Sequence, residues 1–160
     1  MKSSLVLGAS IALVLATPAW AQPAPPVGGK PATAATKAAN EAVLKSLPFN
    51  DKADFEDAQR GFIARPDTLT IKKADGTVIW DLESYKKYIS LDKAAPPSIN
   101  PSLYRNAQLN MLHGLFKVTD RIYQVRGYDL SNITFVQGDT GWIVFDPLIS
   151  AETARAALDF

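Results

Sequence analysis

The most constraining feature of this chain is "GDTGWIVFDPLISAETARAALDF", residues 138–160. Trp142 to Phe145 is apolar throughout, between a Gly-rich turn and Pro147. A strand with no polar alternation expects cover on both faces, as an interior strand has. Pro147 stops it. Ser150 then reads as an N-cap, Glu152 suits the positive end of a helix, and Ala154, Ala157 and Leu158 form an apolar stripe. A strand entering a helix in this way implies a layered mixture of sheet and helix that continues into a further strand. The expectation is that Phe160 interrupts such a unit.

The preceding residues extend the β-rich stretch. Arg121–Gly127, Asn132–Gln137 and Trp142–Phe145 read as strands, the last two joined by a tight turn at Gly138–Gly141. Tyr123 and Val125 alternate with Gln124 and Arg126, which suits a half-buried strand. Residues 35–114 read differently. A helix is expected over Ala35–Leu47, ended by Pro48. A second starts at Asn50 or Asp51, with Phe55, Ala58 and Phe62 on one face. Leu69–Lys72 and Thr77–Trp80 flank Asp75-Gly76 as a hairpin. A short helix is expected over Glu83–Ile89. Asn100 caps another with Pro101 at its first position. Its apolar stripe is Leu103, Ala107 and Met111, and His113-Gly114 closes it.

The beginning of the chain has another character. Lys2 precedes the apolar run Leu5–Ala16, and Ala19-Trp20-Ala21 fits a small-x-small cleavage rule. Residues 1–21 read as a signal peptide cleaved after Ala21, which predicts a periplasmic or secreted protein. The run is too short for a stable membrane span. Residues 22–34 are rich in Pro, Gly and Ala and read as a flexible linker. Removing residues 1–21 removes Lys2 and no acid, leaving 16 bases against 16 acids. The charges are interspersed, so nothing favours nucleic acid.

Several chemistries are excluded by residue supply. There is no cysteine, hence no thiolate nucleophile, thiolate metal ligand or disulfide. His113 is the one histidine, and a lone histidine at a helix end reads as structural. No Gly-x-Ser-x-Gly elbow, dinucleotide fingerprint or Walker loop is present. Gly138-Asp139-Thr140-Gly141 resembles half of an aspartic-protease pair, but the second half is missing and a hairpin turn is the better reading. Asp146 stands at the carboxyl end of an apolar strand, where α/β folds bind ligands, although position alone favours a turn aspartate facing water. Asp129 and Asn132, beside Arg126 and Tyr128, either line a polar pocket or serve as turn residues.

Residues 100–158, "NPSLYRNAQLNMLHGLFKVTDRIYQVRGYDLSNITFVQGDTGWIVFDPLISAETARAAL", resemble the front of the alkyl sulfatases with a metallo-β-lactamase fold. "LPFNDKADFEDAQRGFIA" (47–64) and "IWDLESYKKYI" (79–89) are similar to the segment preceding it in that family. The resemblance implies an α+β fold. A helical and hairpin lead-in over 35–114 would precede a partial αββα sandwich over 115–160, truncated in its first helix. It implies a parent enzyme that hydrolyses primary alkyl sulfates such as dodecyl sulfate, using two zinc ions. The family is homodimeric, through a helical domain, and carries a sterol-carrier-like domain beyond the catalytic one. Its metal site begins with His-x-His-x-Asp-His after the next strand, and no histidine follows His113 here. No metal ligand or catalytic residue can therefore be assigned. Asp146 corresponds to an aspartate that supports the metal loop from behind. The expectation is an inactive N-terminal portion that binds no zinc by itself. The rival readings are another metallo-β-lactamase-fold hydrolase and a small periplasmic binding or interaction domain.

Overall fold

The computed structural model describes residues 31–160. The signal-peptide reading and residues 22–30 of the linker lie outside them. Residues from Ala32 onward form one compact unit.

Helix α1, Ala34–Ser46, is capped by Thr33, whose Oγ1 accepts from Thr36 N at 3.1 Å. None of its residues is buried. Helix α2 is Ala53–Gln59, a shorter element than the periodicity of Phe55, Ala58 and Phe62 predicts. Phe62 instead opens strand β1, Phe62–Ala64. The cause is Gly61, at φ +72°. A Cβ there would lie 2.0 Å from the Lys117 carbonyl oxygen, so only glycine admits this approach. The Lys117 amide donates to the Gly61 carbonyl at 2.7 Å. The chain thus leaves the helix directly onto a sheet edge.

The hairpin forms where expected, as β2 (Thr70–Lys72) and β3 (Val78–Asp81). A 3-10 helix, Glu83–Lys87, follows. Helix α3, Pro101–Asn110, has Asn100 as N-cap and Pro101 in its first turn, as read from sequence. Its buried face matches the expected stripe fully only at Met111, the C-cap. Leu103 is 63% exposed, whereas Pro101, Tyr104 and Gln108 are buried. The reason is hydrogen bonding to an irregular segment. Gln108 Nε2 donates to the carbonyls of Ser90 (2.6 Å) and Lys93 (2.9 Å), and the Tyr104 hydroxyl accepts from Ser90 N at 3.0 Å. The apolar-stripe rule misses a face whose task is to satisfy loop carbonyls.

Strands β4 (Gly114–Thr119), β5 (Ile122–Arg126), β6 (Ile133–Gln137) and β7 (Trp142–Phe145) complete an antiparallel sheet of order β1-β4-β5-β6-β7. Thus β1, from the lead-in, forms one edge and β7 the other. On one face, Leu69 and Ile71 of the hairpin segment, Met111, Val125, Tyr128, Ile133 and Ala157 make the core. Trp80 Nε1 donates to the Gly127 carbonyl at 2.7 Å and fastens the hairpin. On the other, Phe116 is 1% exposed, with Phe62 edge-on at 5.6 Å and the Arg126 guanidinium 4.2 Å over its ring. Arg126 also donates to the Ala58 carbonyl at 3.1 Å, which ties in α2.

The cover expected on both faces of Trp142–Phe145 is not supplied by the described residues. β7 is an edge strand, and all four residues are exposed, from 45% at Val144 to 57% at Ile143 and Phe145. Helix α4, Ala151–Asp159, follows with a capping box between Ser150 and Thr153.

Candidate functional site

The residues singled out from sequence gather at one end of the sheet. There β5 runs out at Arg126, β6 begins at Ile133, and β7 ends at Phe145 opposite Thr134. Two loops meet: 127–132 between β5 and β6, and 146–150 between β7 and α4.

Gly127 starts the first loop at φ +81°, where a Cβ would lie 2.5 Å from His113 Cβ. That approach packs the loop on the segment after α3. Asp129 is 7% exposed. Its Oδ1 accepts from Ser131 N at 2.7 Å. Its Oδ2 accepts from Ile149 N at 2.8 Å and from the Thr153 hydroxyl at 2.9 Å. Three donors therefore satisfy the buried carboxylate, none of them cationic, as burial of such a group demands. These bonds hold Asp129 in the turn. Asn132 is exposed. Both residues border a cavity of about 290 Å³, with Trp80, Tyr85, Met111 and Arg126. Burial pulls the Arg126 guanidinium down from the usual arginine value and pushes the Tyr128 phenol up to about 12. Tyr128 is therefore a neutral apolar contact at ordinary pH, its ring 5.9 Å from that of Phe160 and tilted by 41°.

Asp146 is exposed and adopts φ +52°, and Leu148 adopts φ +70°. Asp146 accepts no hydrogen bond among the described residues, so it stands apart from Asp129 in both burial and bonding. His113 is 5% exposed; its Nδ1 lies 3.0 Å from the Met111 carbonyl, and its Nε2 is buried without a partner among the described residues. Asp139, in the β6–β7 turn, pairs at 2.7 Å with Arg121 of the β4–β5 turn, a surface role that fits the hairpin reading.

Sequence reasoning missed Thr153, which is 1% exposed and joins Asp129 to the cap of α4. The Ser-x-x-Thr spacing of a capping box was the available signal.

A zinc pair does not fit this donor set. Among the described residues, no three His, Asp or Glu side chains come together as metal ligands. His113 is engaged and buried, and the Asp129 oxygens are occupied by donors. What these residues can do is hold two loops in register at a sheet end.

The described fold matches that of a solved alkylsulfatase. The structure of the stereoselective inverting sec-alkylsulfatase Pisa1 from Pseudomonas sp. superposes with a TM-score of 0.73 at 53% identity, over 81% of this chain and 20% of that one. No protein-family model matches the chain. The chain is 52% identical to a linear primary-alkylsulfatase of Pseudomonas sp. over 98% of its own length and 22% of the relative's. It is 49% identical to an (R)-specific secondary-alkylsulfatase of Pseudomonas sp., over 96% and 22% of the two chains. An alkyl/aryl-sulfatase of Saccharomyces cerevisiae is 48% identical over 77% of this chain and 19% of its own. The chain is a homologue of the alkylsulfatases, and it spans about a fifth of the length of these relatives.

Proposed function

We propose that this chain is the N-terminal part of an exported alkyl sulfatase that hydrolyses primary alkyl sulfates of the dodecyl sulfate type to alcohol and sulfate. The observation that carries the reading is the continuity of the likeness. Matches of 52% and 49% identity extend over 98% and 96% of the chain, and so include both the lead-in and the sheet. The primary-alkyl choice follows the linear primary-alkylsulfatase, at 52% identity. Export follows the cleavable leader read at residues 1–21, and a detergent-like substrate is met outside the cytoplasm. In the metallo-β-lactamase-type reading the sheet and α4 are the opening of an αββα sandwich. Two zinc ions would supply an activated water, held by residues outside this stretch. Homodimerisation would likewise reside elsewhere.

The part played by these 160 residues is that of a scaffold, and alone they are inactive. One histidine and no cysteine cannot furnish the histidine-rich two-zinc site that the resemblance implies. The chain lacking residues 1–21, given excess zinc and dodecyl sulfate, is expected to release no sulfate. Zinc-dependent turnover at the chain's own concentration would overturn its inactivity. The substrate class is tested by replacing the matching stretch of the linear primary-alkylsulfatase with this one. The chimera should hydrolyse dodecyl sulfate. A folded, zinc-loaded chimera inert toward primary alkyl sulfates contradicts the reading.

A further inference from the structure

Loop 146–150 holds two residues with left-handed backbone within three positions, Asp146 at φ +52° and Leu148 at φ +70°. Aspartate tolerates that region, whereas leucine adopts it only under constraint. Such strain persists where the surroundings over-determine it. Two holders are present. The Leu148 side chain packs against the core. The next residue is held by a carboxylate 20 positions earlier, since Ile149 N donates to Asp129 Oδ2 at 2.8 Å.

The same oxygen accepts from the Thr153 hydroxyl at 2.9 Å, and Thr153 Oγ1 lies 3.0 Å from Ser150 Oγ. Thr153 N in turn donates to Ser150 Oγ at 3.1 Å. Asp129 Oδ1 is braced by its own loop through Ser131 N. A single buried carboxylate thus ties the β5–β6 loop to both the strained turn and the first turn of α4. Asp146 is left exposed at the start of that turn.

We propose that Asp129 is a positioning residue: it keeps the Asp146–Ile149 turn in its left-handed form and so fixes where the Asp146 carboxylate points. Asp129 acts through the Ile149 amide and the Thr153 hydroxyl, and it is not itself a catalytic residue. The functional consequence rests on the alkyl sulfatase reading, but the structural claim does not.

Hydrogen exchange read by mass spectrometry on the intact chain separates the two. In Asp129→Asn one carboxylate oxygen becomes an amide nitrogen, so the two donors now sharing Oδ2 and the one on Oδ1 compete for a single acceptor. The peptide spanning 146–153 should exchange roughly 10-fold faster or more, the size expected for losing a hydrogen bond to a charged acceptor. The β5 and β6 peptides should be unchanged. Asp129→Leu, with no acceptor, should exceed Asp129→Asn in the same peptide. Should neither variant fold, Thr153→Val removes one arm of the clamp and should still quicken the same peptide. A 146–153 peptide that exchanges at the original rate overturns the proposal. So does an increase spread evenly over β5 and β6, which marks general weakening. In the dodecyl sulfate-hydrolysing chimera, Asp129→Asn should lower kcat more than it changes KM. An inactive chimera would count against the sulfatase reading while leaving the exchange result to decide the role of Asp129.

Discussion

An interior strand and an edge strand of the sheet, β4 and β7, both carry large apolar side chains and leave them in different surroundings. On β4, Phe116 is 1% exposed beneath Phe62 and Arg126, and Arg126 is tied to α2 through the Ala58 carbonyl. At the β7 side, Trp142, Ile143, Val144 and Phe145 are all about half exposed. An apolar strand with an open edge is a template for further pairing. Composition sets how much cover a strand requires; the neighbours that reach it decide whether it is covered.

The largest effect should separate the two strands. Phe116→Ala is expected to cost about 3–5 kcal/mol, the range for emptying a buried aromatic site. Ile143→Ala, on exposed β7, should cost less than about 0.5 kcal/mol. Urea unfolding of both variants measures the contrast, and equal losses would erase it.

Arg105 provides an intermediate test. It joins α3 to the segment before and within α2. Its Nε and Nη2 donate to the Asp54 carboxylate at 2.6 Å each, Nη1 donates to the Phe49 carbonyl at 3.0 Å, and Nη2 also reaches the Asp51 carbonyl. Arg105→Ala should cost about 2 kcal/mol and loosen α2 while leaving β5–β7 paired. The Arg105 hydrogen bonds hold the Asp54 carboxyl below its ordinary value. Because the folded pKa is depressed, this stabilisation is fully present above the unfolded value of about 3.9 and is lost as pH falls through the folded one. Unfolding followed from pH 6 downward should show a flat region and then a decline below about pH 4. Arg105→Ala should shrink that decline.

The smallest effect on stability should accompany a large effect on association. Ile143→Lys places a charge on the open edge, where it meets water. Stability should change by less than about 1 kcal/mol, while concentration-dependent self-association measured by sedimentation should fall. An unchanged sedimentation profile would show that β7 is not the associating edge.

Much of the architecture was legible because it rests on local rules. Asn100-Pro101 marked the start of α3, Asp75-Gly76 the hairpin, Ser150 the start of α4, and Gly138–Gly141 the turn between β6 and β7. The failures share a non-local cause. β1 is three residues long, and its existence depends on Gly61 fitting against Lys117, 56 positions away. β4 carries Leu115, Phe116 and Val118, but it shows itself as a strand only through pairing with β1 and β5. α3 buries Tyr104 and Gln108 because the 90–93 segment needs donors and acceptors, which apolar periodicity cannot register. Asp129 and Asp146 were visible as acids near a sheet end. Their different fates follow from Ile149 and Thr153 reaching one and not the other.

The direct test of the contrast between interior and edge strands is backbone hydrogen exchange in the monomeric chain, at concentrations where sedimentation finds no association. Peptides over Ile122–Arg126, paired on both sides, should be strongly protected, and those over Trp142–Phe145 should exchange far faster. Equal protection of the two strands would contradict the account, because it would mean that β7 is already covered within this chain.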